Sequence, residues 1–339
     1  MEYFRSDRLN TIGIIVNPAS GKDIRRLVSH AMVIDNNEKL NIVKRIILAA
    51  QGAGIKKMYI MPDTFSMGYK VVDNLTSSKE LLSEVEIIDM KVKGNADDSI
   101  MATSIMQEKG VGCIIALGGD GTSRAVAKAI KDTPLISIST GTNNVYPLML
   151  EGTVVGIAAA AISTQTFDIR KTCSRDKRIE IYKDDEMIDI ALIDCVISRQ
   201  TFIGSKAIWD FEDIQKVIVS RAHPASIGFS AIVGVKFLVG EDSDFGASIN
   251  VNVGENNLLV PIAAGSMESI TVDEPIIHPL NEFFSIEMKY NGIMALDGER
   301  EIPFKEGQIF KFRITREGPL RVNVNATLEE AQKNGFFMR

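Results

Sequence analysis

The chain has 339 residues, 45% hydrophobic and 24% charged, the balance of a globular protein long enough for two domains. A net charge of −6 implies no broad cationic surface, so nucleic acid is excluded as an expected partner. The longest clean apolar stretch, Val154–Ile162, falls far short of the ~20 residues of a membrane span, and Met1–Arg8 is too polar for a signal peptide, so a cytoplasmic protein away from membranes is expected.

The first 150 residues alternate short β-branched runs with helix-period segments. Thr11–Val16 reads as a buried strand, followed by the loop Asn17-Pro18-Ala19-Ser20-Gly21. Glu38–Ala53 is helical, with Leu40, Val43, Ile46, Ile47 and Ala50 on one face. Lys57–Met61 and Val85–Met90 are strands, Asp97–Glu108 a helix and Val111–Leu117 a strand running into a glycine loop. Thr122–Lys131 is the next helix and Leu135–Ser139 the next strand. Such alternation predicts βαβ units and a Rossmann-like parallel sheet in residues 1–150.

From 151 to 318 the texture becomes β-rich. Lys177–Tyr182, Met187–Ile197, Gly228–Leu238, Leu258–Pro261 and Phe283–Lys289 read as strands, and only Gly156–Ser163 and Phe211–Ser220 as helices. Residues 319–339 supply a strand near 320–325 and a helix over Thr327–Lys333, which return to the first domain in the expected architecture. The basic run Lys171–Lys177 reads as a solvated face.

Chemistry concentrates at Cys113-Ile114-Ile115-Ala116-Leu117-Gly118-Gly119-Asp120-Gly121-Thr122. A buried strand delivers Gly118, Gly119 and Gly121 to a turn where a ligand can approach the backbone. The helix that follows turns its positive end toward that ligand, which suits phosphate. Asp120 then sits at the carboxyl edge of a parallel sheet, as a metal contact or as a base for an incoming hydroxyl. Neither standard nucleotide loop is present. A Walker A loop would need glycine where Val16 stands and Ser or Thr at Asp23, and a dinucleotide fingerprint would need glycine at Arg124.

The 118–122 block resembles the signature loop of NAD kinases and of diacylglycerol and sphingosine kinases. Asn17-Pro18-Ala19-Ser20-Gly21 resembles the family's loop against nucleotide phosphates. Gly141-Thr142-Asn143-Asn144 is similar to the lipid-kinase Gly-Thr-x-Asn-Asp segment, and Leu296-Asp297-Gly298-Glu299 to an Asp-Gly-Glu turn. This resemblance implies an ATP-dependent kinase using Mg²⁺. Asn17, Pro18, Ser20, Gly21, Gly118, Gly119, Gly121, Thr122, Gly141 and Thr142 would hold the nucleotide. Asn143, Asn144 and Asp194 would contact the acceptor, and Asp120 or Glu299 would be the base. Read alone, Asn17–Gly21 is also a polar turn, Asn143 and Asn144 are also caps, and Asp297-Gly298 is also a hairpin turn.

Asp194 lies in the otherwise apolar run Ile190–Ile197 and needs compensation there. NAD kinases pair an asparagine with the acid at that place, whereas this chain has Ile193-Asp194. That departure, with Asn143-Asn144-Val145-Tyr146-Pro147 in place of a longer Asn-x-Gly stretch, resembles the acetoin catabolism protein X group. The expected acceptor is therefore NAD(H) or a related small hydroxylated metabolite. A lipid kinase and a non-catalytic nucleotide-binding protein stand as alternatives, and a homodimer or homotetramer follows from the resemblance only. Cys113 and Cys195 read as small core hydrophobes, Trp209 as core, and His30, His223 and His278 form no metal-ligand pattern.

Overall fold

The computed structural model describes residues 10–20, 30–164, 167–200 and 211–338. The first part alternates strand and helix: β1 (Thr11–Val16), α1 (Asn36–Gly52), β2 (Lys57–Ile60), α2 (Met67–Ser77), β3 (Glu84–Ile87), α3 (Ala96–Glu108), β4 (Cys113–Gly118), α4 (Asp120–Ala129), β5 (Pro134–Ser139) and α5 (Gly152–Thr164). All five strands are parallel, in the order β3-β2-β1-β4-β5. β4 and β5 are buried along their whole length, as expected of strands covered on both faces by helices. Side-chain caps fix where the helices begin. Asp35 accepts from Glu38 N at the start of α1, and Asn95 from Asp97 N at the start of α3. Helices α1 and α5 lie almost backbone to backbone. A Cβ on Gly152 or Gly156 would come within 2.7 Å of Ile42 O or 2.5 Å of Ile46 O.

After β6 (Cys173–Arg175), an edge strand of the first sheet, the second part is built from β7 (Arg178–Lys183), β8 (Glu186–Ala191), β9 (Asp194–Ser198), β10 (Ile214–Val219), α6 (Phe229–Gly234), β11 (Phe245–Ala263), β12 (Ser266–Val272), β13 (Ile276–Pro279), β14 (Phe283–Glu287), β15 (Gly292–Leu296), β16 (Glu299–Phe304) and β17 (Ile309–Thr315). One sheet runs β12-β11-β10-β9-β15-β16 and a second β14-β17-β7-β8, with antiparallel pairing throughout both. Ile179, Ile181, Cys195, Met294, Phe310 and Phe312 belong to one buried apolar cluster that joins strands of both sheets. Finally β18 (Leu320–Val322) pairs parallel with β5, and α7 (Val324–Lys333) packs against α5, so the chain ends in its first sheet. The turn of the β11–β12 hairpin also reaches back, where His30 N donates to Ala264 O at 3.2 Å.

Several sequence expectations fail in the second part. Phe211–Ser220, expected as a helix, is a short 3₁₀ turn leading into β10; Ile214, Val217 and Val219 enter one core cluster, and pairing with β9 and β11 overrides helical spacing. Gly228–Leu238, expected as a strand, contains α6. Its small residues are buried on every side, where periodicity gives no signal. Met187–Ile197 is not one strand, because the chain leaves one sheet for the other at Leu192–Ile193. Lys177 is not solvated. It is wholly buried, donating to Gly240 O at 2.9 Å and Phe245 O at 2.7 Å, and burial lowers its pKa to about 8. Helix α2 was not anticipated. Trp209 and Gly21 lie outside the described residues. Among those residues no helix is long and apolar enough to cross a membrane.

Candidate functional site

The strand order reverses between β1 and β4, and in open α/β sheets ligands bind outside the carboxyl ends of the strands at that switch point. Both loops singled out by sequence leave from these two strands and touch. Asn17 N donates to Leu117 O at 3.0 Å, and Asn17 Nδ2 to Thr122 Oγ1 at 2.9 Å. Within the first loop Ala19 N donates to Asn17 Oδ1 at 2.9 Å and Ser20 Oγ to Asn17 O at 2.7 Å. Glycine at 118 is obligatory, since a Cβ there would overlap the Thr122 side chain.

Gly119 precedes α4 without any side-chain cap, so the first turn of that helix is not closed by its own sequence. Asp120, in this turn, faces the β5–α5 loop. Its carboxylate accepts from Val145 N at 3.1 Å through each oxygen and from Tyr146 N at 2.8 Å. Tyr146 is anchored beyond by its hydroxyl, which donates to buried Asp176 at 2.7 Å. The same loop carries Gly141, Thr142, Asn143 and Asn144. Asn144 Nδ2 donates to Ser139 Oγ at 2.7 Å and Gly141 O at 3.2 Å, which leaves Asn144 Oδ1 3.0 Å from where a Cβ on Gly119 would stand. Thr142 is exposed. Asn143 Oδ1 is buried and accepts no hydrogen bond among the described residues, a costly state for an amide oxygen that a ligand donor would relieve.

The fourth segment arrives from the β-rich part. Asp297 and Gly298, at φ 49° and 81°, form the tight turn joining β15 to β16, so the hairpin reading of this pair holds. Asp297 is buried. Its carboxylate accepts from Leu192 N and Ile193 N at 2.8 Å and from Asp194 N at 3.2 Å, serving the amides where the chain changes sheets. Burial raises its pKa, while the charge of Arg124 and the three amides pull it down. Immediately after the turn, Glu299 comes so close to Gly121 that a Cβ there would overlap its carboxylate. Glu299 keeps 37% of its side chain exposed, 4.0 Å from the guanidinium of Arg124. Arg124 is itself buried and reaches Asp189 at 3.3 Å, which Lys128 also contacts at 2.8 Å. Asp194 begins β9 beneath this turn and is 5% exposed.

The structure thus brings together Asn17, Ser20, Gly118, Gly119, Asp120, Gly121, Thr122, Gly141, Asn144 and Glu299, with Asn143 on the same loop. Pro18 is buried behind the first loop and Asp194 lies deeper. A glycine at 118 that no side chain can replace and a capless helix start fit the phosphates of a ligand, and the unsatisfied Asn143 oxygen fits a donor such as one of its hydroxyls. Among the described residues no group of His, Cys, Asp or Glu is spaced to hold a metal alone. Mg²⁺ held mainly by substrate phosphates would need only one or two carboxylates, and Asp120 and Glu299 are the candidates. Sequence reading missed Lys39, Arg124, Ser139 and Tyr146. Lys39 left a signal: it interrupts the buried stripe of Val43, Ile46 and Ala50 on α1.

Residues 12–167 match the model of the ATP-NAD kinase N-terminal domain, and residues 177–317 that of the acetoin catabolism protein X C-terminal domain. In class, then, this is a protein with an NAD-kinase-type α/β domain joined to a β-rich one. The fold agrees: yeast NADH kinase, in its crystal structure complexed with NADH, superposes with a TM-score of 0.54 at 13% identity, over 97% of this chain and 88% of that one. Acetoin catabolism protein X of Cupriavidus necator is 36% identical over 305 residues, covering 86% of this chain and 84% of the relative. The chain belongs to the acetoin catabolism protein X family.

Proposed function

We propose that the protein is an ATP-dependent phosphotransferase acting on a hydroxyl of a small molecule, with NAD(H) or a related metabolite as the acceptor. One observation carries the reading: loops after β1, β4 and β5 and the β15–β16 turn converge at the switch point, with the Glu299 carboxylate against Gly121. Phosphoryl transfer requires mainly positioning and charge stabilisation, which this arrangement can supply. Asn17, Ser20, Gly118, Gly119 and Thr122 would receive the triphosphate, and Mg²⁺ would neutralise charge on it. NADH, bound by the yeast enzyme of the same fold, motivates the acceptor.

The two carboxylates divide the work. Asp120 already engages both carboxylate oxygens with the backbone amides of Val145 and Tyr146. Its role is to hold the loop bearing Asn143 and Asn144, whose amides would orient the acceptor. Glu299 keeps a partly exposed carboxylate beside Gly121, and it would take the proton of the attacking hydroxyl.

A second reading, a nucleotide-binding protein without transfer, has one observation behind it. Ile193 stands where NAD kinases carry an acceptor-contacting asparagine, and its amide is tied to Asp297. The deciding assay incubates the full chain with γ-labelled ATP and Mg²⁺ against NAD, NADH, other hydroxylated metabolites, diacylglycerol and sphingosine. Label on a small hydroxylated acceptor is expected. ATP binding with no transfer to any of them would establish the second reading instead, and label on the lipids alone would make the protein a lipid kinase.

A further inference from the structure

Lysine is almost never fully enclosed unless something pairs its charge, because stripping water from an ammonium is costly. Lys39 is 1% exposed. It sits in the first turn of α1, on the stripe that otherwise carries Ile42, Val43, Ile46 and Ala50 into the core. An apolar residue there would complete the stripe. Instead the Lys39 ammonium donates to Ser20 O at 2.7 Å, Asn17 O at 3.1 Å, Pro18 O at 3.4 Å and Asn36 Oδ1 at 3.2 Å.

Those carbonyls belong to residues 17–20, which leave β1 and lie in neither a helix nor a strand. Lys39 takes the place of a ladder. It gathers the carbonyl oxygens of 17, 18 and 20 onto one point. Asn17 is the hub that passes this order on, because all of its polar atoms are engaged. Its carbonyl meets Lys39 and Ser20, its amide N–H meets Leu117, and its side chain takes Ala19 N and gives to Thr122 Oγ1. A side chain on α1 is thereby linked, through one loop, to the first turn of α4.

We propose that Lys39 is a positioning residue for the nucleotide: it does not touch the ligand, but holds residues 17–20 and, through Asn17, Thr122 in the shape that receives a nucleoside triphosphate. The inference rests on the reading of these two loops as the nucleotide site. A side chain that only filled the core would affect the stability of the free protein and nothing else. A positioning residue also affects how much the ligand adds.

The test titrates MgATP into the full-length wild-type chain and its Lys39→Met, Lys39→Gln and Lys39→Arg variants, by calorimetry and by thermal melting with and without ligand. Lys39→Met is expected to weaken MgATP roughly tenfold to a hundredfold and to lose a matching part of the ligand-induced rise in melting temperature. Lys39→Gln and Lys39→Arg, which keep donors at similar reach, should recover part of it. Equal MgATP affinity in wild type and Lys39→Met overturns this inference alone. A wild-type chain that binds no MgATP overturns the nucleotide reading and this inference together. Hydrogen exchange on the wild-type protein needs no variant to fold. MgATP should protect amides in both 17–20 and 118–124, and protection of the second segment without the first rejects the role of Lys39.

Discussion

Asp120 and Asp297 each hold a foreign stretch of backbone, one in the α/β part and one in the β-rich part. Asp120 accepts from the amides of 145 and 146, Asp297 from those of 192, 193 and 194. Their surroundings differ. Asp120 is half-buried at the carboxyl edge of a parallel sheet, and the loop that it fixes bears the half-buried amide side chains of Asn143 and Asn144 beside the glycine loop. Asp297 is buried, and the backbone that it fixes is a crossing between two sheets with apolar side chains around it. On the function proposed above, the same hydrogen-bonding device serves ligand placement in one region and fold closure in the other. What decides is whether the backbone being held has somewhere to present its side chains.

The sharpest test of that contrast compares three acids. Glu299→Gln should cut turnover roughly 10²–10⁴-fold with an unchanged melting temperature, as expected for loss of a general base. Asp120→Asn should instead lose about tenfold, mainly through a higher KM for the acceptor. The assignment of the base reverses if Asp120→Asn proves the more damaging for kcat. Asp297→Ala should destabilise the protein by about 3–5 kcal/mol in denaturant titration, because three buried amides lose their acceptor. A loss no larger than that of Asp120→Ala would break the comparison.

A smaller effect is expected at the contact between the regions. In Gly121→Ala the new methyl meets the far end of a flexible side chain, so folding should survive while Glu299 is pushed aside. Turnover is predicted to fall about tenfold, with ATP affinity held within about twofold. The smallest effect concerns pH in the β-rich part alone. His278 stacks on Phe284 with ring centroids 3.6 Å apart, and burial lowers its pKa to about 4. Between about pH 6.5 and 4 the unfolded chain takes up a proton that the folded chain refuses, so stability should fall as pH falls through that window. His278→Gln should flatten this part of the stability profile, and an unchanged slope would exclude His278 as its source.

Much of the α/β part was legible because each of its strands is a short run punctuated by turn residues; α2 was missed although Met67, Val71 and Leu75 recur at helical spacing. The glycine block could be read for the same reason, since few other demands place so many glycines at a strand end. The β-rich part was harder. Phe211–Ser220 and Gly228–Leu238 exchanged their expected states because sheet pairing and burial on all sides, both long-range, set them. Lys39 and Arg124 were missed for a related reason: a charge within a helix reads as solvent-facing until the tertiary structure shows the carbonyls and carboxylates around it. Asp297 was read correctly as a turn, but its three amide partners lie about a hundred residues earlier, beyond any local pattern.

The position of β18 has a consequence for synthesis. A nascent chain can assemble β1 through β5 early, and Leu148 soon covers β5 at Ser137 and Ser139, yet the strand that covers its outer edge at Pro134 and Leu135 emerges only ~180 residues later. At about 5–20 residues per second, that edge stays open on the ribosome for roughly ten to forty seconds, and an unpaired strand edge is a template for wrong association. Cotranslational handling of this interval, by chaperone or by transient docking of the intervening sheets, becomes part of how the protein reaches its working state.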